Sequence, residues 1–185
     1  RVMMVSTDTC EGAKTTLDAL DLGALDFVHK PGTAMDCRTD DFKKQLILTL
    51  SAVVDSRLQT FSRTTPVREI IRANAKTTGT PIRQPKEISG NKIVALASST
   101  GGPKALQSVI PRLPKNLKAP VVIVQHMPVG FTASLAERLN SLSEVHVKEA
   151  AEGDVLEPGN VYIAMGGKHL NIVTDAGKYK IHYTD

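Results

Sequence analysis

The chain has 185 residues, enough at ~150 residues per domain for one complete domain or two incomplete ones. Its hydrophobic share of 41% beside 23% charged residues excludes wholesale disorder, and 13 Gly with 10 Pro exclude collagen-like and low-complexity chains. A net charge of +4 is too mild to indicate nucleic acid, and no apolar run approaches the ~20 residues of a membrane span, so no membrane insertion is expected.

Val2 to Val5 reads as a short apolar strand. Glu11 to Leu22 has Ala13, Leu17 and Leu20 at helical spacing and ends at Gly23, a glycine C-cap. Ala24 to His29 is a second strand, closed by Lys30-Pro31-Gly32, where proline stops pairing. Asp40 to Leu58 reads as an amphipathic helix with Phe42, Leu46, Ile47, Leu50, Val53 and Val54 on its apolar side. Strand, helix, strand, helix over residues 1–58 implies a parallel sheet.

Residues 59–90 lose this periodicity. Thr, Ser, Pro and Gly accumulate, and Arg57, Arg63, Arg68, Arg72, Lys76, Arg83 and Lys86 meet only Glu69 and Glu87. The composition is that of a solvated interdomain linker, with one helical turn around Val67 to Ala73. Residues 91–185 resume the α/β pattern. Lys92 to Ala97 reads as a buried strand running into Ser98-Ser99-Thr100-Gly101-Gly102-Pro103, and a helix follows with Ala105, Leu106, Val109 and Ile110 on one face. Val121 to Val124 is a second buried strand ending at Gln125-His126-Met127-Pro128, then Thr132 to Leu142 is a helix. Val145 to Glu149, Val161 to Ala164 and His169 to Val173 read as further strands, again expected to run parallel and feed helices. The chain starts inside one strand-like run and stops inside another, Tyr179 to Tyr183. Natural termini usually lie outside elements, so a fragment truncated at both ends is expected.

In open α/β sheets, ligands and reactive groups collect at the carboxyl ends of strands. Here Ser98-Ser99-Thr100 ends one strand and His126 ends the next. Neighbouring strands lie ~4.8 Å apart, so hydroxyl and imidazole can meet as a nucleophile-base pair, beside a helix N-terminus able to hold an oxyanion. The same residues also fit a plain N-cap turn with a core histidine, or an anion-binding glycine loop. The phosphate-loop, dinucleotide and nucleophile-elbow glycine patterns are all absent. The histidines show no HxxxH or HExxH spacing, and Cys10 and Cys37 lack metal-ligand spacing, so no metal site is expected and a reducing cytoplasm is.

These residues also carry a resemblance. Ala97-Ser98-Ser99-Thr100-Gly101-Gly102-Pro103-Lys104-Ala105-Leu106 resembles the G-x-S-T-G-G-x-x-A-[LI] signature of the chemotaxis protein-glutamate methylesterases, and Gln125-His126-Met127-Pro128-Val129-Gly130-Phe131-Thr132 their QHMPxGFT motif. Lys148 to Asp154 and Pro158 to Ala164 resemble two later stretches of the family. Met4-Val5-Ser6-Thr7 with Gly23 to Pro31 is similar to the last third of its phospho-receiver domain.

The resemblance implies a C-terminal part of a flavodoxin-like receiver domain over 1–58, a linker over 59–90, and the N-terminal half of a doubly wound parallel-sheet methylesterase domain over 91–185. It implies Ser99 as nucleophile, His126 as base, Thr100 and Gly101 in support of the oxyanion, and Ser6, Phe27 and Lys30 as receiver switch residues. Ala97 departs from the family's glycine. The family's triad aspartate and phospho-accepting aspartate fall outside this sequence, and Asp154, Asp175 and Asp185 do not match the aspartate motif. Catalysis is expected to need no cofactor, while receiver phosphorylation would use Mg²⁺ held by ligands outside the chain. The implied activity is hydrolysis of glutamate methyl esters, with glutamine deamidation, on chemoreceptor cytoplasmic helices, controlled by a sensor histidine kinase. The 185-residue fragment alone is expected to be inactive. A non-catalytic response-regulator module that binds a receptor is the alternative.

Overall fold

A computed structural model describes residues 1–6, 10–55 and 92–185, without the side chains of 10–12. The predicted linker, with its helical turn, lies outside the described residues. Strand β1 (Met3–Ser6), helix α1 (Cys10–Asp21) and strand β2 (Asp26–His29) form a parallel pair in the register Ser6 to His29. After α1, Gly23 takes φ +115°, its N–H donating to the Leu20 carbonyl at 3.1 Å while Ala24 N–H donates to Ala19 at 2.9 Å. This paired bonding is a Schellman ending, and it requires the left-handed conformation that glycine adopts without strain.

Helix α2 (Asp40–Asp55) packs on β2. Its covered line is Phe42, Leu46, Thr49 and Val53, narrower than expected: Ile47, Leu50 and Val54 are exposed. A pair of four-residue strands presents too little surface to cover a wider stripe.

Strand β3 (Val94–Ser98), helix α3 (Gly102–Val109), strand β4 (Val121–Gln125), helix α4 (Phe131–Leu142), strand β5 (His146–Glu149) and strand β6 (Asn160–Ile163) build a second, four-stranded sheet. All its pairings are parallel, in the order β3-β4-β6-β5. Val121, Ile123, Val147, Val161 and Ile163 meet α3 and α4 on one face, and Leu17, Leu20 and Phe27 from the N-terminal segment join the same buried cluster. The two α/β segments therefore share one core.

Two expectations change. Among the described residues the strand read as buried, β3, is an edge strand with Val94 and Ala95 exposed, because of the described strands only β4 pairs with it. The last two strands, β7 (His169–Asp175) and β8 (Lys178–Thr184), form an antiparallel hairpin instead of parallel strands feeding helices. Only Ala176 and Gly177 separate them, at φ +48° and +74°. Two residues cannot make the crossover that parallel strands require, and positive φ at both positions gives the turn that matches strand twist. Ile181 of this hairpin packs with Val122, Ala150, Leu156 and Tyr162 on the sheet face opposite α3 and α4. Among the described residues, helices thus cover one face of the sheet and the hairpin part of the other.

Candidate active site at the ends of β3 and β4

The register pairs Ser98 with Gln125. Ser99 and His126 therefore leave adjacent parallel strands at the same level, and His126 N–H donates to the Ser98 carbonyl at 3.1 Å, extending the ladder one step. Gly101 then turns the chain at φ +73° and caps α3, whose first residues are Gly102 and Pro103. Glycine is required there because a side chain at that φ is strained. Proline fits the opening turn because its missing N–H has no helical partner there. Gly102 N–H donates back to the Ser99 carbonyl at 2.8 Å, closing the turn.

Ser99, Thr100 and His126 are all exposed. They line a cavity of about 310 Å³ together with Asp26, His29 and Pro103. Among the described residues, neither the Ser99 hydroxyl nor the His126 ring has a hydrogen-bond partner, so both are available to a substrate and no carboxylate orients the ring. Asp154 and Asp175 are engaged elsewhere, by Lys148 and Lys180.

Two residues around this site were missed in the sequence. Gln125 is 5% exposed. Its Oε1 accepts from Ser98 Oγ at 2.6 Å, and its Nε2 donates to the carbonyls of Ser99 at 3.0 Å and His126 at 3.2 Å. A signal existed: Val121, Ile123 and Gln125 alternate along one strand, so a polar side chain takes a core-facing position. Asp26 begins β2 and is also buried. Its Oδ1 accepts the Phe27 N–H at 2.8 Å and its Oδ2 the Gly101 N–H at 2.7 Å. Burial pushes its carboxyl above the ordinary aspartate range, opposed by these two backbone bonds. The Gly101 N–H, the donor an anion-binding loop would offer, is thus taken from within the chain.

The residues assigned to the receiver switch stay apart from the cavity, except Phe27. Ser6 and Lys30 sit at the carboxyl ends of β1 and β2, joined by Lys30 N–H donating to the Ser6 carbonyl at 2.5 Å. Phe27 lines the cavity and stacks on Phe131, with ring centroids 5.2 Å apart and planes 12° from parallel. Among the described residues no three His, Cys, Asp or Glu side chains gather to hold a metal ion. No described helix is long and apolar enough to cross a membrane.

A parallel α/β sheet with a hydroxyl and an imidazole at adjacent strand ends, beside a helix N-terminus, is the layout of a hydrolase-type α/β domain. Residues 94–185 match the family model described as CheB methylesterase. This part of the chain belongs to that family, as its motifs indicated.

The protein-glutamate methylesterase/protein-glutamine glutaminase of Bacillus subtilis (strain 168) is 44% identical over 177 residues, which are 95% of this chain and 49% of that protein. The protein of the same description from Thermotoga maritima is 44% identical over 180 residues, 96% of this chain and 48% of its own. The crystal structure of the Thermotoga maritima CheB methylesterase catalytic domain is similar at a TM-score of 0.50 and 54% identity, covering 51% of this chain and 50% of that one. The chain spans about half the length of the curated relatives it matches.

Proposed function

We propose that the protein carrying this chain hydrolyses methyl esters of glutamate side chains on chemoreceptor cytoplasmic helices, and deamidates certain glutamines there by the same route. The observation that carries this reading is the register of β3 on β4, which brings Ser99 and His126 out of neighbouring strands at one level and into one cavity. The shared description of the relatives supports the substrate class.

In this mechanism the His126 ring takes the Ser99 hydroxyl proton as Oγ attacks the ester carbonyl. The Thr100 N–H, joined by the Gly101 N–H once Asp26 releases it, stabilises the oxyanion, where one good donor is worth ~10²-fold or more in turnover. His126 returns the proton to the leaving oxygen, and methanol departs from the acyl-enzyme. A water, deprotonated by His126, then attacks the acyl carbonyl and frees glutamate and Ser99. A glutamine amide follows the same steps with ammonia leaving. The carboxylate that would orient the imidazolium lies outside residues 1–185 in this reading.

Residues 1–58 act as the end of a receiver domain, 59–90 as linker and 91–185 as the start of the catalytic domain. Phosphorylation, from a sensor histidine kinase in the cytoplasm, shifts the population away from the state in which β2 lies against the Ser99 turn. The bond from Gly101 N–H to Asp26 supports this regulation, because it ties the two segments at the site itself.

A fluorophosphonate probe on the native protein tests the reading. Modification of Ser99, slowed by His126→Ala and abolished by Ser99→Ala, is expected. No modification of Ser99 would favour a binding module without turnover.

A further inference from the structure

Gln125 occupies a position where the strand pattern calls for an aliphatic side chain. A buried carboxamide is costly there unless its donors and acceptor are used. Both Nε2 hydrogens are used, on the carbonyls of Ser99 and His126, and Oε1 takes the Ser98 hydroxyl. All three partners belong to the two chain segments that present the candidate nucleophile and base.

The consequence reaches beyond stability, because a peptide unit is planar and trans. The Ser99 carbonyl and the Thr100 N–H belong to one rigid unit, so holding the carbonyl also aims the N–H. The Ser99 carbonyl is held twice, by Gln125 Nε2 and by Gly102 N–H at 2.8 Å. In the same way, the bond to the His126 carbonyl fixes the peptide unit just after the imidazole.

The motif is built around this amide. A Cβ on Gly102 would stand 1.9 Å from Gln125 Oε1, 2.8 Å from its Cδ and 3.0 Å from Ser98 Cβ. Gly102 has no left-handed φ to explain it. Its missing side chain makes room for the carboxamide.

We propose that Gln125 is a positioning residue for the reaction of Ser99 and His126, its carboxamide bracing both strand ends at once and aiming the Thr100 N–H. The inference rests on the roles given to Ser99 and His126 under the proposed function. Misplacement by ~1 Å is enough to cost ~10²-fold.

The test is steady-state demethylation by the native protein carrying Gln125→Ala, with folding followed by circular dichroism. A fall of kcat by about 10²-fold per folded molecule, with KM within about threefold, is expected. Gly102→Ala should be severe in the wild type and add little once Gln125→Ala has emptied the space, a non-additivity that a general loss of stability does not produce. If Gln125→Ala fails to fold, Gln125→Glu carries the same readout, with an oxygen where the donor stood and the length unchanged. Wild-type kcat per folded molecule in either variant, additive Gly102→Ala losses, or failure of both variants to fold would overturn the proposal. Full activity in Ser99→Ala would instead overturn the underlying assignment and leave a distinct signature.

Discussion

Phe27→Ala probes the junction between the two α/β segments. Phe27 is 8% exposed and Phe131, the first residue of α4, is 1% exposed, and the rings stack with centroids 5.2 Å apart. Truncating a buried phenylalanine typically costs about 3–5 kcal/mol, the lost transfer energy plus the cavity left behind. With a urea slope of roughly 2 kcal/mol/M, the unfolding midpoint should fall by roughly 1.5–2.5 M. Phe131→Ala should cost a similar amount. The double variant should lose less than the sum of the two by about 0.5–1.5 kcal/mol, the part belonging to the ring pair itself. Urea unfolding of the purified chain, followed by far-UV circular dichroism, measures all three. A loss below about 1 kcal/mol for Phe27→Ala, or additivity within about 0.3 kcal/mol, would refute the shared core.

Asp26 gives a pH signature. Burial holds its folded carboxyl above the ordinary range, so the folded state binds that proton more tightly and stability falls as pH rises from about 4 through the raised value. Asp26→Asn should remove this fall from a plot of urea midpoint against pH, and an unchanged slope would contradict the burial of the Asp26 carboxyl as its cause. Ser98→Ala leaves Gln125 Oε1 without its donor and should cost about 1 kcal/mol in urea unfolding, with no loss above about 3 kcal/mol unless the bond is misread. If Ser6 and Lys30 are receiver switch residues as proposed, a hydroxyl and an ammonium cannot form an acyl phosphate, so acetyl phosphate with Mg²⁺ should leave the 185-residue chain unphosphorylated by intact mass.

Much of this fold was legible in the sequence because its elements are short and sharply bounded. Gly23, Pro31 and the glycines at 101 and 102 mark ends that the structure places within a residue or two. Edge against centre was not legible: Val94 to Ser98 has the composition of a buried strand, and its exposure depends on which strands pair beside it. The hairpin was misread although Asp175-Ala176-Gly177-Lys178 is too short for any crossover. The apolar side of α2 was overestimated, because periodicity reports what a helix can bury and not what is present to cover it. At the candidate site, the placing of Ser99 beside His126 was legible through strand ends and motif. Gln125 and Asp26 were missed because a single buried amide or carboxylate means something only once its backbone partners are known, and those of Asp26 include Gly101, 75 residues away.

The central claim is that the hydroxyl at the end of β3 attacks an ester carbonyl with help from the imidazole at the end of β4. Methanol release from methyl-labelled chemoreceptor by the native protein tests it most directly, compared across Ser98→Ala, Ser99→Ala and His126→Ala. The account predicts release by the wild type, retained though reduced release by Ser98→Ala, and none above background by Ser99→Ala or His126→Ala, all with folded spectra. An inactive Ser98→Ala beside an active Ser99→Ala would contradict the register of the motif, and with it the roles of Thr100 and Gln125.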